Sequence, residues 1–116
     1  MSKHLLLADD DPLSLKLLTE ILGIQGYRVS KAVNGQDALA LLAAHHFDAV
    51  VTDLHMPNGD GRALLRGIQA AGRDIPVFMV TIDHDALTAA ERKGVHLMPK
   101  PVSIHQLVAA IGEALA

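Results

Sequence analysis

The sequence predicts an α/β chain, a doubly wound sheet of five parallel strands with helices on both faces. Short apolar runs alternate with helix-period stretches along all 116 residues, the pattern of strand–crossover–strand units. No linker, low-complexity tract or internal repeat breaks the alternation, so one domain over residues 1–116 is expected. Four of the five apolar runs also stop on a residue with chemistry to offer. In an open parallel sheet the carboxyl ends of the strands share one rim, so those endings should converge. Right-handed crossovers leave few topologies, but periodicity does not set the strand order.

Lys3 to Ala8 reads as a buried strand ending in Asp9-Asp10-Asp11. Pro12 suits the first turn of a helix, and Leu15, Leu18 and Leu22 fall on one face of a helix over Pro12 to Leu22, with Gly23 near its end. Tyr27 to Val33 is a weaker strand, and it alone offers no obvious functional group. Gly35 to His45 repeats Ala38, Leu39, Leu42 and Ala43 at helical spacing. Ala49 to Thr52 is a third strand that ends in Asp53, and Arg62 to Ala71 a helix that packs Leu64, Leu65 and Ile68. Pro76 to Thr81 is the fourth strand, followed by a helix from His84 to Lys93. Val95 to Met98 makes a short fifth strand that leads to Lys100. Ser103 caps the last helix, whose stripe is Ile104, Leu107, Val108, Ile111 and Leu115.

Half of the residues are apolar but only 3% are aromatic, so Leu, Val, Ile and Ala must build the core. A formal charge of -3 gives no reason to expect a nucleic-acid or membrane partner. Cysteine is absent, which removes disulfides and thiolate metal sites. No apolar stretch approaches the roughly 20 residues that span a bilayer, and no signal-peptide pattern is visible. A soluble, cytoplasmic protein is the resulting expectation.

Carboxylates, a hydroxyl and an ammonium gathered on one rim suggest a cation together with an anionic group such as phosphate. Taken singly, each residue has a plainer role. Asp9 to Asp11 suit a helix N-terminus, Asp53 a turn, Lys100 a solvated strand end and Thr81 a β-favouring filler. Four such coincidences in order are far less probable than any one of them.

Ala8-Asp9-Asp10-Asp11-Pro12, Asp53-Leu54-His55-Met56-Pro57-Asn58-Gly59-Asp60-Gly61, Val80-Thr81 and Pro99-Lys100-Pro101 together resemble a response-regulator receiver domain of two-component signalling. The resemblance covers essentially the whole chain. It implies a flavodoxin-like, CheY-like fold with strand order 2-1-3-4-5, which sets Asp9 and Asp10 beside Asp53. Clustered carboxylates repel by roughly 4 kcal/mol per pair at 4 Å and an effective dielectric near 20, so they favour a divalent cation. All-oxygen donors suit Mg²⁺ or Mn²⁺. The resemblance further implies Asp10 and Asp53 as direct ligands, Asp9 as a ligand through water, and the His55 backbone carbonyl as another ligand. Asp53 would be the phosphoacceptor, forming an acyl phosphate, with Lys100 and Thr81 binding the phosphoryl group. A histidine kinase or histidine phosphotransfer domain would be the donor, and the domain would be a monomer. The chain is not a conventional enzyme, and whether it catalyses its own phosphorylation and dephosphorylation at Asp53 stays open. Asp11 is read as a helix cap, and Asp60 and Gly61 as shaping the loop before the third helix.

Seven histidines (His4, His45, His46, His55, His84, His96 and His105) show no i, i+4 pair on one helix and no Cys partner, so a histidine metal site is not expected. By the resemblance, His55 and Asp83 occupy positions that tune phosphoryl lifetime. Two departures from the family pattern bear on signalling. Ile82 stands where a small residue is usual, and Leu97 where a switch aromatic is usual. The stretch from Thr81 to Lys100 is also short, implying a trimmed fourth helix or trimmed loops. A non-switching interaction module with the same fold is therefore the rival reading. A dehalogenase-like hydrolase is a distant third, since Asp53-Leu54-His55 lacks the second acid of an Asp-x-Asp motif.

Overall fold

The computed structural model describes residues 2–58, 60–83 and 85–116. The central strands are the most apolar ones. β1 (His4–Ala8) lies between β2 (Arg28–Ala32) and β3 (Ala49–Asp53), and β4 (Val77–Thr81) and β5 (Val95–Pro99) follow outward. All neighbours are parallel and the order is β2-β1-β3-β4-β5, so the five-stranded doubly wound sheet is present as expected. Every residue of β3 and β4 is buried, whereas β2 and β5 carry exposed residues, as edge strands do.

Alternation along the strands divides the core in two. Leu5, Leu7, Val51 and Phe78 face α1 (Pro12–Ile24) and α5 (Ile104–Ala114), where Leu15, Leu18, Leu22, Leu107 and Ile111 meet them. Leu6, Val50, Val77 and Met79 face α2 (Gly35–Ala44) and α3 (Gly61–Ala70), packing on Ala38, Leu42, Leu64, Leu65 and Ile68. Each fully buried Leu or Phe contributes roughly 1.5–3 kcal/mol, so the sheet and both helical layers depend on one another. Ala43, assigned to the apolar face of α2, is instead exposed; the helix turns its 38/42 row inward, keeps Leu39 partly buried against the core and leaves Ala43 in solvent.

Side-chain caps set where the helices begin. Asp11 caps α1 by accepting from Leu13 N–H (3.1 Å), Asn34 caps α2, Asp60 caps α3 and Ser103 caps α5. The fourth helix is the main correction. It was expected from His84 to Lys93, but α4 covers only Ala89–Arg92. Thr88 starts it, because its hydroxyl accepts from Glu91 N–H while the Glu91 carboxylate accepts from Thr88 N–H. Leu87 is buried in the core ahead of the helix, in the segment between β4 and α4. His84 lies outside the described residues, as does Gly59 of the second motif.

Candidate functional site: the acidic rim of the sheet

Parallel pairing carries the ends of β1, β3, β4 and β5 to one edge. Ala8 pairs with Thr52 across β1 and β3, so the chain beyond each strand emerges with Asp9 beside Asp53. One carboxylate oxygen from each of Asp9, Asp10 and Asp53 lies within 4.8 Å of the others. Asp9 and Asp53 are buried and Asp10 is exposed. Asp9 is oriented by accepting from Asp11 N–H at 2.9 Å, while its own N–H donates to Ala32 O at 3.1 Å.

From the far side Lys100 Nζ approaches Asp53 Oδ1 to 3.2 Å. Lys100 N–H donates to Thr81 O at 3.1 Å, so β4 and β5 deliver their functional groups side by side. The Thr81 hydroxyl is buried and accepts from Asp83 N–H at 3.0 Å. Burial pushes the Asp53 carboxyl up to about 7; the Asp9 hydrogen bond and charge add to this, and Lys100 opposes it.

Fully ionised, three carboxylates against one ammonium leave two negative charges, the complement of one divalent cation. The donors are all oxygen and two of the three acids are buried, where their mutual repulsion is least screened. The acidic cluster therefore fits a divalent metal. An open cleft of about 360 Å³ leads to Asp53, walled by Leu17, Leu18, Val80, Pro101 and Ile104. A slightly larger hollow of about 400 Å³, at the opposite end of the sheet around Phe47 and Asp48, holds none of these groups.

The remaining candidates sit around the rim. His55 is exposed and shares a shallow hollow with Asp10 and Asp60. Ile82 is 76% exposed and is not among the residues that wall the cleft. Asp83 is exposed, and Leu97 is half buried against the α2/α3 core. Asp11 is the α1 cap, its Oδ2 also accepting from Ser14 Oγ at 2.9 Å. Of the histidines, His4 hydrogen-bonds Ser30 Oγ and faces the His46 carbonyl at the opposite end of β1, while His96 stacks on Phe78.

Two further features support the site, one from the motif residue Gly61 and one from beyond the motifs. Gly61 N–H donates to Leu54 O at 2.8 Å, and a Cβ at Gly61 would collide with the Asp53 carbonyl oxygen. Only glycine lets α3 start this close to Asp53. Arg62, next in the chain, pairs with Glu91 of α4, its Nε 2.9 Å from Glu91 Oε2. The pairing of this arginine with this glutamate carries no signal in sequence alone.

A family model described as the response regulator receiver domain matches residues 5–112. The chain is 38% identical over 115 residues to the transcriptional regulatory protein GlrR of Escherichia coli strain K12, covering 97% of this chain and 26% of that protein. It is 36% identical over 115 residues to the probable transcriptional regulator ycf27 of Cyanidium caldarium, with 97% and 46% covered. The chain thus spans less than half the length of these relatives. Among solved structures, a receiver domain of a Francisella response regulator superposes with a TM-score of 0.88 at 25% identity, covering 98% of this chain and 97% of that one. A response regulator receiver domain protein of Clostridium thermocellum gives 0.87 at 28% identity, with 97% and 94% covered. The strand order, the rim that gathers Asp9, Asp10, Asp53 and Lys100, and the match along nearly the whole chain agree: this chain belongs to the response regulator receiver domain family of two-component systems.

Proposed function

We propose that this receiver domain, taken as one unit over residues 1–116, is a phosphoacceptor that receives a phosphoryl group on Asp53 from a phosphohistidine of a kinase or phosphotransfer domain. The observation that carries the reading is the placement of Asp53, buried at the floor of a cleft between two acids and an ammonium 3.2 Å away. An Asp53 carboxylate oxygen attacks phosphorus, the P–N bond to the donor imidazole breaks, and an acyl phosphate forms. Lys100 swings from Asp53 Oδ1 to the phosphoryl oxygens, and the Thr81 hydroxyl donates to one of them.

Asp9, Asp10 and Asp53, with the His55 backbone carbonyl, would hold Mg²⁺ or Mn²⁺. When bound, the ion supplies positive charge against the phosphoryl oxygens. By the family pattern, His55 and Asp83 would tune how quickly water removes the group. Ile82 and Leu97 bear on the response to phosphorylation rather than on the transfer.

The donor meets an apolar lip. Leu13 (74% exposed) and Leu17 (47%) stand on α1, and Leu17 borders the cleft with Pro101 and Ile104. A helix presenting a phosphohistidine could cover these side chains while reaching Asp53. A cytoplasmic setting and a monomeric state belong to the same reading, as does any self-catalysed phosphorylation or hydrolysis.

Incubation with acetyl phosphate and Mg²⁺ should add one phosphoryl group, seen as a mass increase lost on treatment with hydroxylamine. Asp53→Asn should take none up. Equal labelling of that variant would refute Asp53 as the acceptor, and a wild-type protein that takes up no phosphoryl group would favour the non-switching interaction module.

A further inference from the structure

The segment between Thr81, the last residue of β4, and the start of α4 touches the Thr81 hydroxyl through Asp83 N–H, yet little apolar packing holds it. α4 has only four residues and none is buried; Leu87 is the one buried anchor among the described residues of the segment. Polar contacts from α3 add to this anchor and to the packing of Ala86 on the core. The Arg62 guanidinium donates to the Ala86 carbonyl and places Nε 2.9 Å from Glu91 Oε2. Glu91 is itself occupied on its other oxygen, since Oε1 accepts from Thr88 N–H at 2.9 Å. One carboxylate therefore closes the helix cap and binds the arginine together.

A hydrogen-bonded path continues from that clasp to the site. Ala86 N–H donates to Asp83 O (3.4 Å), and Asp83 N–H donates to the Thr81 hydroxyl (3.0 Å). The other end is equally fixed, because Arg62 follows Gly61, whose backbone lies against the Asp53 carbonyl. Side-chain exposures of 32% for Arg62 and 17% for Glu91 keep the pair partly out of water. The Glu91 carboxyl is held below the usual carboxylate range, first by the Thr88 N–H and then by Arg62, so the pair stays ionised at neutral pH.

We infer that Arg62 is a positioning residue: it latches the β4–α4 segment onto α3 and so sets the resting position of the Thr81 hydroxyl. The inference rests on the phosphoacceptor reading only for the consequence at Thr81. If that hydroxyl is to turn toward a phosphoryl group on Asp53, Asp83 N–H must give it up, and the latch resists this. The restraint is greatest in a domain where Leu97 offers no aromatic ring to follow the loop.

The test begins on the unphosphorylated, metal-free protein. Amide exchange over residues 85–92 should quicken about tenfold in Arg62→Met, equivalent to about 1.4 kcal/mol, with β1 and β3 unchanged. Glu91→Gln keeps an oxygen for Thr88 N–H but loses the charge. It should quicken the same amides, and the double variant should add little to Arg62→Met. Arg62→Lys should recover part of the protection. The Asp83 amide resonance should also move in Arg62→Met, although the substitution lies on another helix. Unchanged exchange, uniform quickening across the sheet, fully additive variants or a fixed Asp83 resonance would each overturn the latch. Adding beryllofluoride and Mg²⁺ then addresses Thr81: shifts over residues 82–92 should be at least twice as large in Arg62→Met as in the parent. Equal or smaller shifts overturn the coupling to Thr81. Shifts in neither protein count against the phosphoacceptor reading and leave the exchange comparison to decide the latch.

Discussion

Asp53 carries two conflicting demands, burial and charge. Its folded carboxyl titrates about 7 against an ordinary value of 3.8, mainly because burial disfavours the anion. Between those values the folded protein holds a proton that the unfolded chain releases. Without divalent ions, this contribution to stability is fully present below pH 3.8 and is lost as pH rises through about 7. Asp53→Asn should therefore unfold at higher temperature than the parent at pH 8, with the gap closing toward pH 5. Parallel melting curves across that range would show that burial of the charge is not what sets the difference. Protons and Mg²⁺ compete for the same oxygens, so apparent metal affinity should climb through neutrality. At pH 7.5, Asp10→Ala should weaken Mg²⁺ binding, followed by thermal shift, well beyond Asp11→Ala. Asp11 spends both carboxylate oxygens on Leu13 N–H and Ser14, so its loss should instead cost about 1 kcal/mol of cap. A larger metal defect in Asp11→Ala would move the ligand set by one residue. His4 behaves oppositely to Asp53. Burial and Arg28 lower its pKa from 6.5, so its share of stability is present above 6.5 and falls as pH drops below it.

At the level of elements, α3 shows how a helix start can serve a site. Gly61→Ala would gain about 1 kcal/mol of helix propensity but drive a methyl group into the Asp53 carbonyl, which has no free side chain to yield. Overpacking of this kind costs roughly 1–3 kcal/mol, so the net effect should be destabilising, by up to roughly 2 kcal/mol in chemical denaturation. An unchanged or raised midpoint would mean that β3 and α3 can separate there. Strands and long helices were legible because burial is periodic: Leu15, Leu18 and Leu22, or Leu64, Leu65 and Ile68, lie at the spacing that the core demands. The fourth helix was misplaced for a physical reason. Ala86 and Leu87 read as its first turn, yet Leu87 plugs the core from an irregular segment. The true start was written in Thr88-Ala89-Ala90-Glu91, a capping box that outweighs apolar spacing in so short an element. The rim residues were legible through motif order. The Arg62 clasp was not, because a charged pair joining two helices leaves no spacing to read.

For the whole molecule, the expected consequence of phosphorylation is small movement. A bound group shifts a two-state equilibrium only as far as it distinguishes the states. Leu97 is packed on the α2/α3 core with no ring to rotate, and Arg62 ties the β4–α4 segment down. Backbone resonances compared with and without beryllofluoride should change strongly near residues 53–58 and 81–83, and weakly across 85–98. The particle mass in solution should stay that of a monomer. Large shifts across 85–98, or dimers formed only with the mimic, would show that this face switches without an aromatic. Limited movement suits a relay or phosphate sink better than an output that depends on paired subunits.

The rung that joins Thr81 O to Lys100 N–H has a consequence for assembly of the chain. The acids come from β1 and β3, while the hydroxyl and the ammonium come from β4 and β5, and each parallel neighbour is a crossover away. Such pairings form late, because long loops must close before they are rewarded. A nascent or half-folded chain can therefore carry Asp53 without the groups that would make it reactive. If Asp53 is the phosphoacceptor proposed above, competence would arrive only with the final strand, and a reactive site would report that the sheet is complete.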